Sequence, residues 1–260
     1  MKNISVSLGK KLIVDSVDFT LAPGQIQVLI GANGAGKSTL LNAISGAGTK
    51  FEGEIFWEGE PLKSLNRQKL AQRRAVLSQE VQLAFPIRVK ELVEMGFYVL
   101  PHPLDATSKA EIVDNALNEV GMTAFLLRDF SSLSGGEKKR VLLAKCLAQL
   151  FCSTQLPGAR YLLLDEPFAG LDVQQQHKLC HLLQELVKEH NLGIFAIVHD
   201  LNLAAIFADE ILFMKSGQLK YRGNPSEVMK PKILSSILGI QSIVHQHPVY
   251  GCPQITPILS

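Results

Sequence analysis

An α/β fold built on a mostly parallel sheet is predicted by three features of this 260-residue chain. Short apolar runs recur at 26–30, 75–77, 161–164, 194–198 and 211–214, polar or helical segments lie between most of them, and an amphipathic helix follows Gln174. Runs without in–out alternation suit strands covered on both faces, the condition of a parallel sheet between layers of helices. Taken in order, 26–30 reads as a strand, Gly31 opens a glycine-rich turn, and 38–44 reads as a helix. After 75–77 the strand signals stop and helical ones take over from Leu83 to Gln149, which reads as a helical insertion. Its clearest helix starts at Ser108 with Glu111 three residues on, carries Ile112, Val113, Ala116, Leu117 and Val120 on one face, and stops at Gly121. The helix after Gln174 places Leu179, Leu182, Leu183, Leu186 and Val187 on one stripe. Glu58-Gly59 and Ser216-Gly217 are the turns of antiparallel hairpins at the edges. The tail from Pro225 to Ser260 has five prolines and no strong periodicity, and no chemistry is assigned to it.

Hydrophobic residues make up 47% of the chain and charged residues 19%, which excludes global disorder and predicts one large domain, residues 1–260. The 26 basic and 24 acidic side chains leave a net charge of +2, too little to draw a nucleic acid or an anionic membrane as a bulk partner. Cys146, Cys152, Cys180 and Cys252 show no CxxC spacing and no apolar leader follows Met1, so a reducing cytoplasm is the expected compartment. The apolar runs fall far short of the roughly 18 residues that span a bilayer, so any membrane role is expected to be peripheral.

Three motifs carry chemistry. Gly31-Ala32-Asn33-Gly34-Ala35-Gly36-Lys37-Ser38 fits GxxxxGK[ST] and lies between a strand and a helix. Its glycines let backbone N–H groups converge on a β-phosphate, Lys37 can reach the β- and γ-phosphates, and Ser38 can ligate Mg²⁺. The apolar strand 161–164 then delivers Asp165 and Glu166 at its C-terminal end, where ligands bind in open parallel sheets. Asp165 is expected to hold Mg²⁺, and Glu166 to orient or deprotonate an attacking water. Leu133-Ser134-Gly135-Gly136-Glu137 opens a helix over 138–150 and forms a second glycine-bearing helix N-terminus, a second phosphate site.

With LSGGE the chain resembles the ATP-binding subunits of ABC transporters, although Glu137 stands where glutamine is commoner. The resemblance implies a P-loop NTPase of RecA-like type, with an antiparallel edge sheet and a helical subdomain. The implied RecA-like core is 1–82 and 155–224, the helical subdomain 83–150 and the C-terminal extension 225–260. It assigns ATP binding to Gly31, Ala32, Asn33, Gly34, Ala35, Gly36, Lys37, Ser38 and Thr39, with Mg²⁺ at Ser38, Gln79 and Asp165. Glu166, His199 and Gln79 become the catalytic set. Gln79 matches the γ-phosphate-sensing glutamine, and His199, 34 residues after Asp165, matches the switch histidine. Ser134, Gly135, Gly136 and Glu137 would complete the ATP site of a second copy, so a head-to-tail homodimer is implied, with Asp172 in the loop that touches the partner. Gly170 replaces the alanine of the commoner Ser-Ala-Leu-Asp. The aromatic residue that usually stacks on adenine is missing, and Leu8 or Val6 takes its place.

Among these transporters the chain is most similar to the haemin importer subunits, grouped with the cobalamin and ferric-siderophore importers. The similarity lies in Arg73-Arg74-Ala75-Val76-Leu77-Ser78-Gln79, Leu83-Ala84-Phe85-Pro86, Arg160-Tyr161-Leu162-Leu163-Leu164-Asp165-Glu166-Pro167, His199-Asp200-Leu201-Asn202-Leu203-Ala204 and His247-Pro248-Val249. It implies an ATPase energising haemin uptake, with cobalamin or a ferric siderophore as the alternative cargo. Membrane permease subunits, a periplasmic or surface substrate-binding protein, and a place on the cytoplasmic face of the inner membrane come with it. Segment 80–100 is expected to receive a permease coupling helix. A soluble ABC ATPase not coupled to transport is the alternative class. His177, Cys180 and His181, and His245, His247 and Cys252, have ligand-like spacing, but they read first as a solvated helix face and as tail surface.

Overall fold

The computed structural model describes residues 1–78, 85–154 and 158–258. The chain opens with strands β1 (Lys2–Leu8) and β2 (Lys11–Val17), then β3 (Ile26–Gly31) and helix α1 (Lys37–Ser45). Strand β4 (Glu52–Glu54) adds to β1, and β5 (Phe56–Trp57) pairs with β6 (Glu60–Pro61) across Glu58-Gly59, both at positive φ as the turn signal predicts. Helix α2 (Arg67–Arg73) leads into β7 (Arg74–Leu77), and α3 (Val89–Glu94), α4 (Ala106–Glu119) and α5 (Gly135–Phe151) follow as a helical layer. The chain returns through β8 (Tyr161–Asp165), α6 (Val173–His190), β9 (Gly193–Ile197), α7 (Leu201–Phe207), β10 (Glu210–Lys215) and β11 (Gln218–Gly223). It closes with α8 (Pro225–Val228), α9 (Pro231–Leu238), β12 (Ser242–Gln246) and β13 (Pro253–Pro257).

The main sheet has the order β11-β10-β3-β9-β8-β7, parallel throughout except for the antiparallel edge strand β11. All five predicted strands lie in it. Their continuous apolar character has a direct cause, because alternate residues enter two different cores. Val28, Leu162, Leu164, Ile194, Ala196 and Phe213 pack with α3 to α7, while Leu29, Leu163, Phe195, Ile197, Leu212 and Met214 pack with α1, β1 and β2. Phe195 and Phe213 are fully buried, one in each core, and contribute about 2–3 kcal/mol apiece.

One expectation is corrected. Helix α4 begins at Ala106 and not at Ser108, because the Asp105 carboxylate accepts from the Ser108 backbone N–H and caps the helix two residues earlier. The Ser108 hydroxyl donates to the same carboxylate. The tail after Pro225 is folded as well. Pro225 and Pro231 stand in the first turns of α8 and α9, where a missing N–H costs nothing, and Asn224 and Glu227 close a capping box. Helices of four and eight residues are too short to reveal a period.

Candidate functional site

Strand register brings the motifs to one edge. Leu29 pairs with Ile197 and Asp165 pairs with the same Ile197 from the other side, so the glycine-rich loop, Glu166 and His199 leave the sheet at one level. This edge is the C-terminal end of three adjacent parallel strands, where parallel sheets bind ligands.

The loop from Gly31 turns through Gly34 and Gly36, at φ +77° and +103°, and delivers the N-terminus of α1. A Cβ on Gly36 would stand 2.7 Å from the Ile13 carbonyl oxygen, so this position needs glycine for room as well as for its torsion. The Lys37 side chain is buried under the loop, and its ammonium donates to the carbonyls of Gly31 (2.8 Å) and Ala32 (3.1 Å). Desolvation lowers its pKa, while the carboxylates of Glu166 and Asp165 pull it back up. A glycine-rich loop, a helix N-terminus and one buried cation stand together here, an arrangement that can cradle a polyphosphate.

Asp165 ends β8, and the Ser38 hydroxyl at the start of α1 donates to its Oδ1 (3.4 Å). Burial raises the Asp165 pKa, and the Ser38 hydrogen bond opposes the rise. The next residue, Glu166, takes φ +51°, a left-handed conformation rare outside glycine and costing about 1–3 kcal/mol where it persists. That turn swings its carboxylate toward β9, where Glu166 Oε1 lies 2.6 Å from His199 Nε2. Glu166 Oε1 is thereby held against His199 beside the loop, where a carboxylate can align a water and take its proton.

Sequence reasoning did not single out Lys139. Its ammonium donates to the backbone carbonyls of Glu166 (2.9 Å) and Ala169 (2.7 Å) and so clamps the strained turn to α5. Its place six residues after Leu133, in the first turns of the helix opened by LSGGE, was the available signal. Ser134 and Glu137 close a capping box: Ser134 N–H donates to Glu137 Oε2 (2.8 Å), and Ser134 Oγ accepts from Glu137 N–H (3.4 Å). The Ser134 backbone hydrogen bond is the main cause that holds the Glu137 carboxyl below its ordinary value. Asp172 caps α6 by accepting from the Gln175 N–H (2.8 Å), and Gly170 before it takes φ +76°, where alanine would be strained.

Gln79 lies outside the described residues. Of the two candidates at the adenine position, Val6 on β1 is buried in the core with Leu29 and Leu40 and so cannot face a base, whereas Leu8 is 58% exposed. His177 and His181 are on the exposed face of α6, and Cys180 is buried with the leucine stripe. His247 organises the tail hairpin, since its Nδ1 accepts from the N–H groups of Val249 and Tyr250. No described helix is long and apolar enough to cross a membrane.

A phosphate cradle, a Ser–Asp oxygen pair and a Glu–His pair at one parallel-sheet edge define a P-loop ATPase. A family model described as ABC transporter matches residues 14–169, and the chain belongs to the ABC transporter family as one of its ATP-hydrolysing cassettes. The Hemin import ATP-binding protein HmuV of Bordetella bronchiseptica is 39% identical over 247 residues, covering 95% of this chain and 94% of that protein. HmuV of Rhizobium meliloti is 35% identical over 255 residues, covering 98% and 96%. Among solved structures, cbiO1 from Clostridium perfringens, part of the ABC transporter complex cbiONQ, superposes with a TM-score of 0.74 at 28% identity, covering 90% and 93%. A dimeric structure of MJ0796, a bacterial ABC transporter cassette, superposes with a TM-score of 0.75 at 24% identity, covering 86% and 97%, and shares the fold.

Proposed function

We propose that this chain is the ATP-hydrolysing subunit of an ABC importer that takes up haemin across the cytoplasmic membrane, bound peripherally on its cytoplasmic face. Likeness over nearly the whole chain to haemin-import subunits supports the cargo. For the chemistry, the carrying observation is the 2.6 Å Glu166–His199 pair beside the Ser38–Asp165 pair.

In this reading Gly31 to Thr39 hold ATP, and Lys37 exchanges the carbonyls of Gly31 and Ala32 for β- and γ-phosphate oxygens. Mg²⁺ neutralises phosphate charge when bound. Ser38, Asp165 and Gln79 would hold it through oxygen atoms, the hard donors such a cation takes. Glu166 accepts the proton of the attacking water, and His199 contacts the γ-phosphate and reports its loss. Catalysis is positioning and electrostatics.

Ser134, Gly135, Gly136 and Glu137 of one copy meet the ATP of a second, with Asp172 at the interface, so two ATPs close a head-to-tail homodimer. Closure moves the helical layer. A groove of about 710 Å³ there is lined by Phe85, Ile87, Met95, Phe97, Tyr98 and Leu104, among others, and Tyr98 is 80% exposed. It lies in the segment expected to take the permease coupling helix, of which 80–84 fall outside the described residues. A periplasmic or surface substrate-binding protein delivers cargo on the far side.

The test is ATPase activity of this chain with its permease in liposomes, comparing binding protein loaded with haemin, cobalamin or a ferric siderophore. Selective stimulation by haemin is expected. Stimulation by another cargo keeps the importer and discards haemin, and a chain that associates with no permease points to a soluble ATPase.

A further inference from the structure

The tail has no part in the site described so far, yet one side chain joins it to the link that carries His199. Helix α7 has only seven residues, too few to hold its own orientation, so its neighbours set where its first turn stands. Asp200 caps that turn, its Oδ1 accepting from the N–H groups of Asn202 (2.8 Å) and Leu203 (3.0 Å). The second support comes from 53 residues away. Asn202 Nδ2 donates to the Ile255 carbonyl (3.1 Å), and Asn202 Oδ1 accepts from the Ile255 N–H (2.7 Å).

One side-chain amide thus satisfies both backbone groups of a strand residue, as a neighbouring strand would. Ile255 faces Val244 across β12–β13, and its backbone groups point away from β12 to α7. The amide has one workable orientation, since a flip would set donor against donor and acceptor against acceptor. The Ile255 side chain is 3% exposed and shares a core with Val198, directly before His199, and with Leu203 and Ala204 of α7. A shift of β13 therefore displaces the first turn of α7, and His199 stands one residue before its cap.

We propose that Asn202 is a positioning residue for His199, and that the C-terminal hairpin is the anchor it pulls against. The proposal rests on the reading of His199 as the γ-phosphate contact. A double-mutant cycle in the full-length chain tests it, with kcat and KM for ATP measured in Asn202→Ala, His199→Ala and the double variant. Asn202→Ala should lower kcat about fivefold to tenfold with KM for ATP within about twofold, and should add nothing once His199 is alanine, as expected for coupled sites. An unchanged kcat in Asn202→Ala, or the same loss in both backgrounds, overturns the proposal while leaving the role of His199 intact. If His199→Ala itself leaves kcat unchanged, the reading of His199 fails and the proposal with it. Should Asn202→Ala not fold, Asn202→Asp carries the same cycle: it keeps the acceptor for the Ile255 N–H, opposes the Ile255 carbonyl, and should show the same non-additive loss of kcat.

Discussion

Gly34 and Gly36 both hold left-handed torsions, but they differ in what surrounds them. Alanine at 34 would meet nothing within 4 Å, so its cost is torsional alone, about 1–2 kcal/mol. At 36 the added Cβ also runs into the Ile13 carbonyl, and the loop must shift to admit it. Gly36→Ala should therefore weaken nucleotide binding and lower the melting temperature clearly more than Gly34→Ala, which equilibrium binding of a fluorescent ATP analogue and thermal melts will compare. Equal effects would mean that torsion alone governs the loop. The thiols give a second prediction at this scale. Burial pushes Cys146 up to about 11 and Cys180 to about 12, whereas Cys252 is partly exposed. An acid whose pKa is higher folded than unfolded binds more protons in the folded state, so stability falls as pH rises from the ordinary thiol value toward those raised ones. Denaturant melts should show that decline on the alkaline side, and native-state alkylation near pH 8 should label Cys252 first.

Among elements, the junction that matters joins α5 to the turn after β8. Lys139 supplies two charge-assisted hydrogen bonds to the carbonyls of Glu166 and Ala169, and they hold Glu166 in a conformation it would otherwise leave. Replacing this lysine with methionine keeps most of the side-chain volume and removes both donors. Lys139→Met should cost about 1–2 kcal/mol of stability, reduced by the partial exposure of the ammonium, and should lower kcat for ATP about tenfold with little change in ATP affinity. Chemical denaturation and steady-state kinetics separate the two effects. A loss of stability with kcat untouched would show that the turn keeps its shape unaided.

For the whole molecule, the cradle and the LSGGE turn are expected to work across two copies of the chain. Glu166→Gln removes the carboxylate base and keeps the side-chain volume, so hydrolysis should slow by about a hundredfold or more while ATP still binds. ATP should then hold the variant as a dimer, which light scattering after size-exclusion chromatography will register as a doubling of mass on adding ATP. A variant that stays monomeric with ATP bound would break the head-to-tail assembly, and one that turns over normally would remove Glu166 from the chemistry.

Much of the site was legible in the chain itself. The loop from Gly31 to Ser38, Asp165 and Glu166 stood out from local text, because each sits directly after an apolar run, whereas His199 also needed the family resemblance to mark it. Fully buried strands also explain why the runs lacked alternation, as in Phe195, which enters one core while its neighbours Ile194 and Ala196 both enter the other. Residues whose partners are distant in sequence were not legible. Lys139 meets Glu166 across 27 positions, Asn202 meets Ile255 across 53, and Val6 is buried by core residues as far along the chain as Leu29 and Leu40. The left-handed turn at Glu166 belongs to the same group, since nothing in Asp-Glu-Pro requires it without the clamp from α5. Local hydrogen bonding and hydrophobic period determined the elements and the motif positions. Tertiary structure alone decided which backbone groups those side chains satisfy, because a lysine or an asparagine carries no mark of its partner until packing brings one within about 3 Å.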